Sequence, residues 1–400
     1  YDGYACDAEM GQGEETIAVL GHLDVVPAGD GWQTPPFTPV REGDRIYGRG
    51  TSDDKGPVIA ALVAMKALAL AGVPLKKKNS CISLNKQVKV FFGCDEESGW
   101  EDMAYYAAHA RMPEVGFSPD ASFPVINTEK GMVHFHLTAK AAPTGVQVKR
   151  WVTGERMNVI PGVAQALLAG GEALAERVRA YAAKTGLPYT AEVTPEGVLV
   201  TAEGIPGHSA YPQGRRNAIG MILCLLTELG AEGPLAAIAR AVGMEHDGAS
   251  LGCACADEVS GALTCNMGIM RVENGDIFCT LDYRCPVAAD QEALIAATRE
   301  HLPGVEVTVV EQKAPHHVPE DSELVRCLLT AYHEETGLPA KAFATGGGTY
   351  AKVLKQGVAF GAAFPDDEDL AHQAGEYASV SGLMKSAKIF ANALLRLAGA

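Results

Sequence analysis

Short apolar runs that stop abruptly at polar clusters, separated by helix-like stretches, set the strongest constraint on this chain of 400 residues. Thr16–Leu20 is one such run and ends in Gly21-His22. Gln87–Gly93 alternates and ends in Cys94-Asp95-Glu96-Glu97, and Val115–Ser118 leads into Pro119-Asp120. Between them, Pro57–Ala71 is a predicted helix, with Pro57 suited to its first turn and Gly72 to its end. Met103–Ala110 is a shorter one. Strands alternating with helices argue for a sheet covered on both faces.

The middle of the chain breaks this pattern. Met132–Lys140, Gln147–Val152, Ala191–Thr194 and Gly197–Ala202 read as antiparallel strands, and Ala262–Val272 and Asp276–Tyr283 as a hairpin turning at Asn274-Gly275. Helices are expected at Pro161–Lys184, Asn217–Leu229, Pro234–Val242 and Gln291–His301, and a strand at Val305–Glu311. From about Pro319 the first pattern returns: a helix at Ser322–Thr336, Gly346-Gly347-Gly348-Thr349 before a helix at Tyr350–Lys355, a strand at Val358–Phe364 and a final helix at Val380–Ala398. The economical reading is an α/β domain split in sequence (1–131 and 313–400) with an α+β domain inserted at 132–312. Lys76–Lys78 and Asn79–Asn85 read as an exposed loop.

Composition narrows the function. The formal net charge of −16 disfavours nucleic acid and anionic membranes as partners. Pro57–Val73 is broken by Lys66 and rich in Ala, so it reads as a core helix and not a membrane span. The ten cysteines are scattered and form no CxxC pair, which fits buried reduced thiols in a cytoplasmic protein. No segment reads as a secretory signal. The chain opens on Tyr1, so its start reads as processed or as lacking a leading segment.

The polar clusters carry the chemistry, because ligands of open α/β sheets bind beyond the carboxyl ends of the strands. His22 and Asp24 stand two apart in an extended segment and share a face, as a metal-ligating imidazole and its carboxylate partner would. Gly48–Gly56 sets Asp53-Asp54 at a helix start; capping by Ser52 or Asp53 is an equal reading of that segment alone. Three successive carboxylates, Asp95-Glu96-Glu97, repel one another unless a cation or solvent relieves them. With Asp120 and with His372 in Ala371–Glu376, these clusters supply the mixed N/O donors of a two-metal site.

The motifs His22–Pro27, Gly48–Pro57, Asp95–Trp100, Pro119–Ala121 and Ala371–Tyr377 occur in an order that resembles the dinuclear metallopeptidases of the carboxypeptidase G, aminoacylase and acetylornithine deacetylase family. Ser118–Gly131, Gly346–Lys352 and Phe360–Tyr377 look most like PepV-type dipeptidases. The resemblance implies a split catalytic α/β sandwich (phosphorylase/hydrolase-like) with an inserted α+β lid. It implies two divalent ions, zinc first, with manganese or cobalt as alternatives. His22 and Asp120 would hold one ion, Glu97 and His372 the other, and Asp53 both, with a cis Asp53–Asp54 peptide. Glu96 would be the general base, Asp24 would orient His22, and His208 would stabilise the oxyanion. Asn158, Arg284, Gly347, Gly348 and Thr349 would contact substrate. The implied reaction is hydrolysis of dipeptides with a free N-terminus; the alternative is deacylation of N-acyl amino acids, of the acetylornithine or succinyl-diaminopimelate type. Simple lids of this family span little more than a hundred residues and borrow the oxyanion His from a dimer partner. The longer insertion here has room for two lid units, which implies a monomer closing near Thr128–Met132 and Gln312–Pro319. Departures include Cys94 where Thr is common and the long stretch Lys76–Asn85.

Overall fold

The computed structural model describes residues 1–11, 13–71, 86–368 and 370–399, so Gly72 and the loop expected over Lys76–Asn85 lie outside the described residues. The fold is mixed α/β, with two compact units. The first comprises Tyr1–Glu129, His317–Ala344 and Gly348–Ala400; the second comprises Lys130–His316 and Thr345–Gly347.

In the first unit the sheet runs in the order Cys6–Met10, Gln87–Gly93, Thr16–His22, Val115–Ser118, Gln356–Ala359, Val125–Glu129. The four central strands are parallel, and the two flanking them are antiparallel to their neighbours. Three of the four central strands are buried nearly throughout and read as apolar runs, whereas Gln87–Gly93 alternates between buried and half-buried residues. The helix Lys55–Leu70 buries Val58, Ala61, Ala64, Met65 and Leu68, and it packs against the last helix, Val380–Leu397. Phe117, Phe123, Phe360 and Phe390 interlock beneath the sheet with ring centroids 5.1–6.0 Å apart.

The second unit is built on a nine-stranded antiparallel sheet, made of two four-strand halves and Thr264–Asn266, which pairs with Asp276–Cys285. One half is ordered Tyr189–Thr194, Gly197–Glu203, Val163–Leu168, Val148–Thr153; the other is Met270–Glu273, Asp276–Cys285, Gly131–Lys140, Glu306–Lys313. The halves join where Val148–Thr153 pairs with Met270–Glu273, and Trp151 sits opposite Val272 at the seam, fully buried. Helix Glu172–Thr185 packs on the first half and Gln291–His301 on the second.

Several expected elements need correction. The stretch read as one helix over Pro161–Lys184 is a strand, Val163–Leu168, followed by a helix, Glu172–Thr185. Its Ala and Leu content suits a helix, but Ala164, Ala166 and Leu168 alternate inward between two partner strands, and Gly170-Gly171 separates the two elements. The strand expected over Ala262–Val272 is interrupted after Asn266, where Gly268 packs directly on the Arg156 and Met157 carbonyls. Val358–Phe364 divides at Gly361, which takes φ +85°. Tyr350–Val353 is a single 3-10 turn. The strand Cys6–Met10 had no clear sequence signal; it is an edge strand with one inward end.

Candidate metal centre

The parallel strands Thr16–His22, Gln87–Gly93 and Val115–Ser118 end side by side, so the residues following each converge. The Leu23 amide donates to the Gly93 carbonyl at 2.8 Å and Ser118 Oγ donates to the Leu20 carbonyl at 2.8 Å, which fixes these ends to one another. Helix Lys55–Leu70 begins over the same place. Gly21 permits this approach: a Cβ there would sit 2.0 Å from Val58 Cγ2 and 2.5 Å from Asp54 Oδ2. His372 arrives from the other end of the chain. Just after it, strand Tyr377–Ser379 pairs with Arg45–Tyr47, which leads directly into Gly48–Asp53.

The structure brings His22, Asp24, Asp53, Glu96, Glu97, Asp120 and His372 together. His22 Nε2 lies 3.0 Å from Asp53 Oδ1 and 3.8 Å from Asp120 Oδ2. His372 Nε2 lies 2.9 Å from Asp53 Oδ2 and 2.9 Å from Glu97 Oε1. One oxygen of Asp53 therefore faces each imidazole. Donor atoms of His22, Asp53 and Glu97 cluster within 4.8 Å of one another, as do those of His22, Glu96 and Asp120. Glu96 thus stands within reach of the same space as the expected ligands. Asp24 serves His22 through two atoms: its carbonyl oxygen hydrogen-bonds Nδ1 at 3.1 Å, and its Oδ1 lies 3.2 Å away. Its Oδ2 accepts the Glu97 amide at 3.0 Å. The Asp53–Asp54 peptide is cis, as the resemblance implies.

Six carboxylates, those of Asp24, Asp53, Asp54, Glu96, Glu97 and Asp120, crowd two imidazoles. Burial and the neighbouring charges of Asp53 and Glu96 push Asp120 and Asp54 well above the usual carboxylate range. His372 rises to about 10 because Asp53 and Glu97 accept from it. His22 is raised too: burial opposes its charge, but Asp24 and Asp53 outweigh it. Protonated imidazoles would offset part of the negative charge of these carboxylates. Divalent cations would displace those protons and relieve the carboxylates at once. The donor set, two Nε2 atoms and carboxylate oxygens facing a common space, fits such ions.

Residues the sequence reasoning passed over hold these segments in place. Asp102 accepts the Cys94 and Asp95 amides at 2.7 and 3.2 Å and the Tyr350 hydroxyl at 2.5 Å. Tyr350 also packs edge-on against His22 and Trp100. Glu129, fully buried, accepts from the Thr349 amide and hydroxyl at 3.1 and 2.8 Å and so orders Gly348-Thr349. No local signal marks these partners, although Glu129 and Tyr350 both lie inside motifs quoted above.

Asn158, His208, Arg284 and Gly347 belong to the second unit. Val159 pairs with His208 across a two-residue ladder, and the Ser209 amide donates to the Asn158 carbonyl at 2.9 Å. Ser209 Oγ donates to Asp282 Oδ2 at 2.6 Å, Arg284 Nη2 donates to the same oxygen at 2.9 Å, and Arg284 Nη1 donates to the Gly346 carbonyl at 3.0 Å. Four expected substrate-facing segments are thereby tied into one network around Asp282. Gly348 and Thr349 fall in the first unit.

Residues 18–396 match the model of peptidase family M20/M25/M40. A Bacillus subtilis protein named "Putative dipeptidase YtjP" is 36% identical, the match covering 99% of this chain and 86% of that protein. A Staphylococcus saprophyticus protein with the same kind of name, SSP1012, is 33% identical over 99% of this chain and 86% of its own length. Among solved structures, the Saccharomyces cerevisiae di-peptidase Dug1p aligns with TM-score 0.59 and 14% identity, over 99% of this chain and 83% of that one. An M20 family metallo-carboxypeptidase from Sulfolobus solfataricus gives 0.57 and 18%, over 98% and 87%. At those identities the two structures speak to the fold alone.

Proposed function

Since the chain belongs to peptidase family M20/M25/M40, and is thus a metal-dependent hydrolase, we propose that it is a dipeptidase cleaving dipeptides with a free N-terminus at a dinuclear centre. The observation that carries the dinuclear reading is Asp53, whose two oxygens face His22 and His372 at 3.0 and 2.9 Å. In this reading His22 and Asp120 complete one half-site, and Glu97 and His372 the other. The dipeptide reading draws on the names of relatives that match along nearly the whole chain.

Bound zinc, or manganese or cobalt in its place, would polarise the scissile carbonyl and acidify the attacking water. Glu96 would accept the proton of that water and pass it to the leaving amine. Asp24 holds His22 in one orientation through Nδ1, leaving Nε2 for the ion. His208 would donate to the oxyanion, Arg284 would grip the substrate's terminal carboxylate, and Asn158, Gly347, Gly348 and Thr349 would line the substrate. The joined halves of the second unit's sheet support a monomer, because the first half supplies within one chain a neighbour for Met270–Glu273, which would otherwise be the edge of the second half.

The deciding experiment is a panel of dipeptides against N-acetyl and N-succinyl amino acids, assayed with zinc and with manganese. Turnover of free dipeptides at least a hundredfold faster supports the reading, and preference for the acylated amino acids overturns it. Mixing inactive His208→Ala and Glu96→Ala chains tests the assembly. Recovered activity would mean that His208 is shared between chains and that the monomer is wrong.

A further inference from the structure

We propose that Glu376 is a positioning residue of the metal centre, fixing Asp53 and through it both half-sites. The proposal rests on the reading of Asp53 as the shared ligand. Glu376 lies four residues beyond His372, and its side chain is fully buried. Both its carboxylate oxygens are consumed inside the chain. Oε1 accepts from the Ser52 amide at 2.9 Å, the Ser52 hydroxyl at 3.1 Å and the Asp53 amide at 3.3 Å. Oε2 accepts from Arg49 Nη1 at 2.7 Å. The Glu376 carbonyl also accepts the Gly48 amide at 3.0 Å.

Two consequences follow from this geometry. First, each Glu376 oxygen already accepts from Arg49, Ser52 or Asp53, so its route to the centre runs through the Asp53 amide. Second, one short segment holds Asp53 from both ends: Glu376 takes its backbone amide, and His372 faces its Oδ2 at 2.9 Å. Asp53 has little freedom to swing toward one imidazole at the expense of the other. The charge is also accounted for. Arg49 neutralises Glu376, and Arg49 is itself held by the Ala28 carbonyl at 3.0 Å and by the Trp32 ring, whose centroid lies 5.2 Å from its guanidinium carbon. An acidic residue is therefore placed beside six others without adding to their repulsion.

A simple staple between the two ends of the chain would show the same contacts, so the test reads metal affinity and not stability alone. Glu376→Gln keeps the size but offers an amide NH2 either to Arg49 or to the Ser52 and Asp53 donors, setting donor against donor. Zinc affinity of the folded chain is measured by competition with a chromophoric chelator, below the melting temperature of each variant. The expected result is about 10–100-fold weaker zinc binding, the usual cost of removing the support of a ligand. kcat at saturating zinc should fall while KM stays within about threefold. Ser52→Ala removes only one of the three donors to Oε1. It should weaken zinc in the same direction by a smaller factor of about 2–5, and it decides the matter if Glu376→Gln does not fold. Zinc affinity unchanged within twofold in the folded variants, with only the melting temperature lowered, overturns the proposal. A wild-type chain that takes up fewer than two zinc ions overturns the shared-ligand reading and this inference with it.

Discussion

Asp282 offers the sharpest quantitative test, because Asp282→Asn removes the charge of a fully buried carboxylate paired with a buried arginine. Asp282, His134 and Glu311 stand directly opposite one another on three adjacent strands. His134 Nε2 lies 3.2 Å from Asp282 Oδ1, and its Nδ1 lies 2.8 Å from Glu311 Oε2. Arg284 Nε lies 2.9 Å from Asp282 Oδ1. Burial works against an ionised Asp282, but Arg284 and His134 outweigh it and hold the carboxyl down to about 2 from the usual 3.8. His134 is raised for the matching reason: burial opposes its proton, while Asp282 and Glu311 favour it. Removing the charge leaves the Arg284 guanidinium, held by Asp282 through Nη2 and Nε, without its carboxylate partner. Breaking a buried pair in this way costs about 3–5 kcal/mol. A second signature comes from acid. A carboxyl depressed on folding contributes stability that is present above the unfolded value and lost as pH falls through the folded one. Nearly two pH units at about 1.4 kcal/mol each make this about 2 kcal/mol, lost between about pH 4 and 2. Urea unfolding followed by Trp151, with Trp32 and Trp100 changed to Phe, reports on the unit that contains Asp282. The variant should unfold at lower urea at pH 7 and lack about 2 kcal/mol of the parent's acid sensitivity. A variant within 1 kcal/mol of its parent at pH 7, with the same acid slope, would refute the compensation argued here.

Glu96→Ala should lower kcat by about 10²–10⁴ while two zinc ions remain bound, whereas Asp53→Ala should lose metal as well as rate; metal analysis of both proteins separates base from ligand. Gly21→Ala places a methyl where Val58 Cγ2 and Asp54 Oδ2 already stand, so it should weaken zinc binding and lower the melting temperature together, and an unchanged zinc affinity would show that helix Lys55–Leu70 can shift freely.

The extent to which sequence carried this reading follows from the range of each interaction. Gln87–Gly93, Val115–Ser118 and Gln291–His301 have the same bounds in the structure as in the sequence reading, because apolar period and polar punctuation are local. His22, Glu97 and Asp120 stand out because each ends or follows a buried run, and Asp53 because it lies at a helix start, whereas His372 sits in an exposed turn that follows no such run. Val163–Leu168 was misread because its Ala and Leu residues suit a helix and only its two partner strands make it a strand. The supports of the centre were invisible for want of any local pattern. Arg49 meets Glu376 across 327 positions, and Tyr350 meets Asp102 across 248. The Asp282–His134–Glu311 row needed the strand register, which no spacing along the chain encodes.

The late strand Gln356–Ala359 has a consequence for synthesis on the ribosome. It lies between Val115–Ser118 and Val125–Glu129, which are made much earlier. At roughly 5–20 residues per second, the gap between Glu129 and Gln356 lasts roughly 10–45 s. During that interval Val115–Ser118 presents a bare edge of unpaired amides and carbonyls, a template for wrong pairing. The second unit is nearly complete by His316 and can form its own core while the first still waits. His372 emerges later still, so the nascent chain displays its carboxylates without the imidazole that completes their set. Any chain cut short before Ala359 keeps that edge open for good, and such fragments should be cleared or aggregate even though most of their sequence is intact.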